Sequence, residues 1–218
     1  MTAHTPEAVT ARRPVLILAA MPEEAAPYED MDLDAAVAVT GIGAVNAAVT
    51  ATRIITELNP RLVVSTGSAG GLGQQLSIGD VVIGSDYRYH GADATAFGYE
   101  LGQIPGMPPA FFGDADSIER ARTLPANPEA PMHIGGMLSG DSFIAAHLVD
   151  DIRRTFPTAL STDMESTALA HACHLAGIPF VSVRAISDLC DGSASEAFHL
   201  SLQEVATRAA HTVAALLA

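Results

Sequence analysis

Short apolar runs rich in β-branched residues alternate along this chain with longer runs at helical spacing, and each run closes on glycine or a polar turn. A chain written this way builds βα units, because a strand that feeds a helix can return to a parallel neighbour. The expected strands are residues 15–20, 35–39, 62–65, 80–85, 133–138 and 180–186. Several lack polar alternation, as strands covered on both faces do. The expected helices are residues 44–58, 145–156, 164–175 and 196–217, with Pro60, Pro157 and Gly177 as stop signals. The expected fold class is therefore α/β, with a central mixed, mostly parallel twisted sheet flanked by helices on both faces.

The length, 218 residues, suits one sizeable core. We expect a flexible tail over residues 1–13 and a single domain over 14–218. A formal net charge of -14 disfavours nucleic acid and anionic membrane surfaces as partners, since either needs a basic patch. All 11 basic residues are arginine, which removes Schiff-base chemistry, a pyridoxal lysine and the lysine of a P-loop. Cys173 and Cys190 are too few for a disulfide framework and are not spaced as a zinc ribbon, so a reducing cytoplasm is expected. No apolar stretch approaches the ~20 residues of a membrane helix.

Residues 86–113 break the βα pattern, concentrating Tyr87, Tyr89, Phe97, Tyr99, Phe111 and Phe112 among several prolines. A loop of that length and composition is a binding-loop candidate. Residues 120–131 carry no aromatics and are expected to be a plain connection. Gly41-Ile42-Gly43 follows a strand and opens a helix, where a glycine turn admits a ligand, yet Asn46 stands where a dinucleotide fingerprint wants a third glycine. The run from Thr66 to Gly73 also follows a strand and is expected to be a glycine-rich loop, either facing a ligand or forming a tight turn.

Three carboxylates stand beside strand ends: Glu24, Glu165 and Asp188. In open α/β sheets the ligand crevice lies at the carboxyl ends of strands, so all three are candidates for one pocket. Each also has a structural reading. Pro22-Glu23-Glu24 suits a helix first turn, Thr162-Asp163-Met164-Glu165 a capping box, and Ser187-Asp188 a turn or N-cap. His171, Cys173 and His174 share one helix and are read as packing and surface residues, with no metal site.

Longer strings are more specific. Thr66-Gly67-Ser68-Ala69-Gly70-Gly71, the stretch from Arg88-Tyr89-His90 through Thr95 to Gly106, Ser139-Gly140-Asp141-Ser142-Phe143-Ile144, Asp163-Met164-Glu165 and Val183-Arg184-Ala185-Ile186-Ser187-Asp188 occur in this order. Together they resemble bacterial 5′-methylthioadenosine/S-adenosylhomocysteine nucleosidases, within the nucleoside phosphorylase superfamily. The resemblance covers residues 15–24 and most of residue 39 to the C-terminus.

The resemblance implies a nucleoside phosphorylase-like fold and hydrolysis of the N-glycosidic bond of a 5′-modified adenosine. It assigns Glu24 to activation of water, Glu165 to the ribose hydroxyls and Asp188 to protonation of purine N7. Ser68 and Arg184 would hold the water and its acid. Phe143 would stack on adenine and the Ile144 backbone read its edge, with Ser187 also at the substrate. Met21, Ile42 and Met164 would wall the 5′-substituent pocket, joined by Phe97, Tyr99 and Pro105 from a neighbouring subunit. A homodimer is implied, with residues 97–105 completing the neighbour's site; the implied ligand is a small nucleoside, with no cofactor, metal, nucleic acid or membrane. The interval between Glu24 and Thr40 is shorter than the family's by about a hairpin, Gly91 replaces the usual Asp and Asp163 the common Glu, and Phe198 would serve as a pocket lid. A phosphate-dependent phosphorylase and a non-catalytic nucleoside-binding protein are the alternatives.

The chemistry of such a cleavage asks for the same residue types. The ribosyl cation and the leaving purine both build charge, so a base for water, an anion near the sugar and an acid at N7 are needed.

Overall fold

A computed structural model describes residues 13–191 and 202–218. The expected tail, apart from Arg13, lies outside the described residues, as do Phe198 and the beginning of the helix expected from residue 196.

The chain runs β1 (Val15–Ala19), α1 (Pro22–Ala25), β2 (Ala35–Val39), α2 (Ala44–Leu58), β3 (Leu62–Gly71) and β4 (Val81–Tyr89). It continues through β5 (Phe111–Phe112), α3 (Ala115–Thr123), β6 (Met132–Ser139), α4 (Ala146–Thr155), β7 (Ala159–Asp163), α5 (Ser166–Ala176), β8 (Phe180–Asp188) and α6 (Leu202–Leu217). The fold is α/β around one mixed sheet. β1 pairs in parallel with β2 and β3, β3 with β8, β4 with β6, and β6 with β7. Antiparallel pairings join β3 to β7, β4 to β5 and β4 to β8. Strands β3, β7, β6, β4 and β8 thereby close into a ring, with β1 and β2 extending outward from β3 and β2 at the edge. Closure brings the ends of β3, β7 and β8 to one place: Gly70 stands opposite both Thr162 and Asp188.

The pleat sorts β1 between two cores. Val15 and Ile17 pack in one cluster with Val64, Val183 and, from α6, Val205, Ala209 and Val213. Leu16 and Leu18 pack in the other with Ala47 and Ala51 of α2 and Leu169 and Cys173 of α5. All of these are nearly or wholly buried, and burying each large aliphatic side chain contributes about 1.5–3 kcal/mol before entropy is counted. Nothing polar interrupts β1, as strand burial on both faces requires.

Several expectations need correcting. The glycine-rich run from Thr66 is not a loop up to Gly71; it continues β3, because its glycines leave room for groups that press on the strand. Residues 86–113 begin as strand, since β4 extends to Tyr89, and later include a short helical turn, Thr95–Phe97, and β5. The connection expected over 120–131 starts inside α3, whose N-cap Asp114 accepts from Ser117 N–H at 2.9 Å. That helix carries few apolar residues, and only Ser117 and Ala121 are buried, so it leaves little periodicity to read.

Tyr87 ties the ring together. Its ring is buried, its hydroxyl donates to the Gly84 carbonyl at 2.9 Å, and the same oxygen accepts from Ser182 N–H of β8 at 2.8 Å. We predict that Tyr87→Phe strands that buried amide and costs about 2 kcal/mol, or roughly 5 °C in thermal midpoint for a chain of this size. An unchanged midpoint by calorimetry would show that the hydroxyl carries no such load.

Candidate active site

The first strand ends at Ala19, and Met21 caps a single helical turn that carries Glu24 back under the sheet. A glutamate in a first turn usually faces water. Glu24 is instead 2% exposed, its Oε2 accepting from Ala20 N–H at 3.1 Å and its Oε1 from the Ser68 N–H and hydroxyl at 2.8 and 3.0 Å. Gly67 makes the seat possible: its φ of +142° is in a region that side chains avoid, and a Cβ there would collide with the Glu24 carboxylate.

Glu165 comes from the other side of the site. The capping box expected over residues 162–165 does not form: Glu165 holds the N-cap position of α5, and Asp163, not Thr162, supplies the capping oxygen. Asp163 Oδ1 accepts from the N–H groups of Glu165 and Ser166 at 3.0 and 2.9 Å and from Ser139 Oγ at 2.7 Å. The Glu165 side chain is thereby released from capping, and its Oε1 accepts from Gly43 N–H at 2.8 Å. The glycine turn Gly41-Ile42-Gly43, with φ of +85° and +95° at its glycines, thus presents its backbone donor to an acid of the protein itself.

Arg184 joins these parts. Its guanidinium is 1% exposed, with Nε 3.3 Å from Asp163 Oδ2 and Nη2 3.5 Å from Glu165 Oε2. Nη2 also donates to Ser65 Oγ at 2.9 Å and Nη1 to the Ser68 carbonyl at 3.2 Å. Arg184 therefore reaches Glu24 through Ser68, and its ion pairs are with Asp163 and Glu165. Burial opposes the arginine's charge, but Asp163, Glu165 and Glu24 outweigh it and hold its pKa above the ordinary value. Burial pushes the Glu165 carboxyl upward, as do the charges of Asp163 and Glu24, while Arg184 and the Gly43 amide pull it back.

Asp188 ends β8, 2% exposed, its Oδ2 accepting from Ser187 Oγ and its Oδ1 from Cys190 N–H, both at 2.9 Å. A cavity of about 200 Å³ brings Glu24, Glu165 and Asp188 together with Ser68 and Arg184. Met21, Ile42, Phe143, Ile144, Met164 and Ser187 also line it. Phe97, Tyr99 and Pro105 do not line it; Phe97 is 83% exposed. Asp163 and Thr162, expected only as parts of a capping box, and Cys190, which carries no motif, are not among the expected site residues; all three line the cavity. His171 lies elsewhere, stacked on Phe111 at 4.7 Å and hydrogen-bonded to the Tyr89 hydroxyl. Among the described residues no helix is long and apolar enough to cross a membrane.

Comparison with known proteins places this geometry in context. The phosphorylase superfamily model matches residues 32–218. A 5′-methylthioadenosine/S-adenosylhomocysteine nucleosidase of Staphylococcus aureus strain JH9 is 42% identical over 187 residues, covering 85% of this chain and 82% of the relative. The Neisseria meningitidis nucleosidase of the same name, solved with methylthio-immucillin-A, is 37% identical with a TM-score of 0.86, covering 94% of this chain and 98% of that one. The Colwellia psychrerythraea 34H nucleosidase, solved with adenine, is 31% identical with a TM-score of 0.88 over 95% of each chain.

The Glu24 seat yields a structural prediction. Gly67→Ala should cost about 2 kcal/mol or more, roughly 4–8 °C in midpoint, through strain and collision with the carboxylate. Adding Glu24→Ala should recover part of that loss, because the colliding group is gone. Strictly additive losses in thermal melts would mean that Gly67 is not there to make room for Glu24.

Proposed function

Because the chain belongs to the phosphorylase superfamily and, within it, to the 5′-methylthioadenosine/S-adenosylhomocysteine nucleosidases, we propose that its cavity cleaves the N-glycosidic bond of such 5′-modified adenosines with water. The products are adenine and the free sugar.

One observation carries the choice of water over phosphate. The cavity wall holds Glu24, Asp163, Glu165 and Asp188, and among the described residues its only cation is Arg184, already paired with two of these acids. A phosphorylase needs unspent positive charge for its anionic nucleophile; this wall repels one and accepts a neutral molecule.

In our reading Glu24 accepts a proton from the water that attacks C1′, with Ser68 fixing the orientation of the carboxylate. The C1′–N9 electron pair leaves with the base, and Asp188 supplies a proton to N7, so that adenine departs neutral. Glu165 accepts hydrogen bonds from the ribose hydroxyls and lays negative charge beside the cationic sugar. Phe143 stacks on the base, the Ile144 backbone and Ser187 meet its edge, and Met21, Ile42 and Met164 face the 5′-group. Arg184 keeps the acids from repelling one another.

We take the working form to be a homodimer in which residues 97–105 close the neighbour's cavity. In support, Phe97 lies outside its own cavity, and Val45 and Val49 of α2, beside the Gly41-Ile42-Gly43 turn, are 73% and 66% exposed. The helices are taken to cover both faces of the sheet, and the two free thiols suit a cytoplasmic protein.

Four measurements test this reading. Adenine release from 5′-methylthioadenosine should proceed at the same rate with and without phosphate, and Glu24→Gln, Glu165→Gln and Asp188→Asn should each lower turnover by about 100-fold or more. Phosphate dependence, or a wild-type rate in any of the three variants, would remove the corresponding part of the scheme. Phe97→Ala should raise KM for substrates with bulky apolar 5′-groups more than for adenosine, and an active monomer in light scattering at assay concentration would overturn the dimer.

A further inference from the structure

The last turn of α4 carries two arginines that behave differently. Arg154 makes an exposed ion pair with Asp151, three residues back. Arg153 instead reaches off its helix and donates to three backbone carbonyls: Nε to Leu72 at 2.8 Å, and Nη2 to Gly71 at 3.4 Å and to Leu189 at 3.2 Å. Gly71 ends β3 and Leu72 follows it, while Leu189 comes directly after Asp188, the last residue of β8.

The Leu189 carbonyl is one end of a peptide group whose other end is the Cys190 N–H, and that N–H donates to Asp188 Oδ1 at 2.9 Å. A peptide group is planar, so a guanidinium that fixes its oxygen also fixes the direction of its N–H. A cation on the oxygen polarises the group as well and strengthens the bond that the N–H makes. This peptide needs holding. Cys190 has a φ of +58°, in the left-handed region that a side chain enters only at a cost. Turning the peptide over would return Cys190 to negative φ and point its N–H away from Asp188. Cys190 packs with Leu72, Ile144 and Val149, but apolar packing supplies no hydrogen bond that chooses between the two orientations. Arg153 supplies one.

Resting on the nucleosidase reading above, we infer that Arg153 is a positioning residue for protonation of the base: it clamps the Leu189–Cys190 peptide so that the peptide N–H pins Asp188 Oδ1. With Oδ1 held by an N–H, Oδ2 is left to carry the proton bound for N7. Arg153 does not line the cavity, so it acts through Asp188, and no bond to it is made or broken.

The test uses the full-length protein. Arg153→Met keeps the reach of the side chain and removes its charge; it should lower kcat for 5′-methylthioadenosine about 10-fold or more and leave KM within about 3-fold. Arg153→Lys, which can still donate to a carbonyl, should lose less. In an Asp188→Asn background, Arg153→Met should lower the residual rate by no more than about 2-fold, because the route it acts through is already broken. In the ligand-free protein the Cys190 N–H should exchange with solvent about 10-fold or more faster in Arg153→Met, with the Val183 N–H of β8 unchanged. Equal proportional losses of rate in both backgrounds, or wild-type exchange at Cys190, would overturn the inference. Faster exchange at Val183 as well would overturn it too, by showing that Arg153 holds the whole sheet and not this one peptide. If the wild-type protein releases no adenine, the nucleosidase reading itself fails; in that case, or if Asp188→Asn leaves no rate to measure, the exchange at Cys190 decides the clamp.

Discussion

A guanidinium buried among carboxylates is the interaction on which the rest of this structure depends. Arg184 is 1% exposed and has Asp163 and Glu165 within ion-pair distance, with Glu24 one residue further through Ser68. Carrying such charges out of water costs several kcal/mol per ion, and the cost is offset only when every donor finds an acceptor. Here the guanidinium nitrogens meet Asp163, Glu165, the Ser65 and Ser166 hydroxyls and the Ser68 carbonyl. A well-packed apolar core would be at least as stable, so the cluster makes sense as the means of keeping several acids close together around one cavity.

Glycine does the complementary work. Gly67 leaves space for the Glu24 carboxylate, Gly43 donates its amide to Glu165, and Gly70 leaves space for the Cys190 thiol beside Asp188. Each acid takes a backbone N–H as one of its partners, from Ser68, Gly43 or Cys190, which fixes its position without adding bulk to the cavity. The strand that carries Gly67 and Gly70 is consequently weak in local propensity. It is held by its neighbours, pairing with β1, β7 and β8.

This division explains what was legible in the amino-acid order. Strands β1 and β2 and helix α2 are written in apolar periodicity, and their bounds emerge almost to the residue: the helix expected at 44–58 is Ala44–Leu58. Strand β7, Ala-Leu-Ser-Thr-Asp, does not look like a strand because its polar groups serve the site, with Thr162 on the cavity wall and Asp163 on Arg184. The three catalytic candidates were readable from their positions at strand ends together with the family strings around them. Asp163 was not, because a residue that caps a helix and one that holds a buried arginine give the same local pattern, and only the ring closure that brings β8 beside β3 reveals the second role.

The charge of the cavity wall also bears on the course of the reaction. With four acids and one arginine on the wall, bringing in any further anion is unfavourable, whereas a sugar that becomes cationic as its bond to the base breaks is drawn deeper into the field it enters. The neutral substrate gains little from that field; the transition state gains much. Binding that strengthens only as charge develops is what accelerates a chemical step. In the proposed reaction, an arrangement that is costly to fold, a buried cluster of acids restrained by one guanidinium, is therefore the same arrangement that favours cleavage by water.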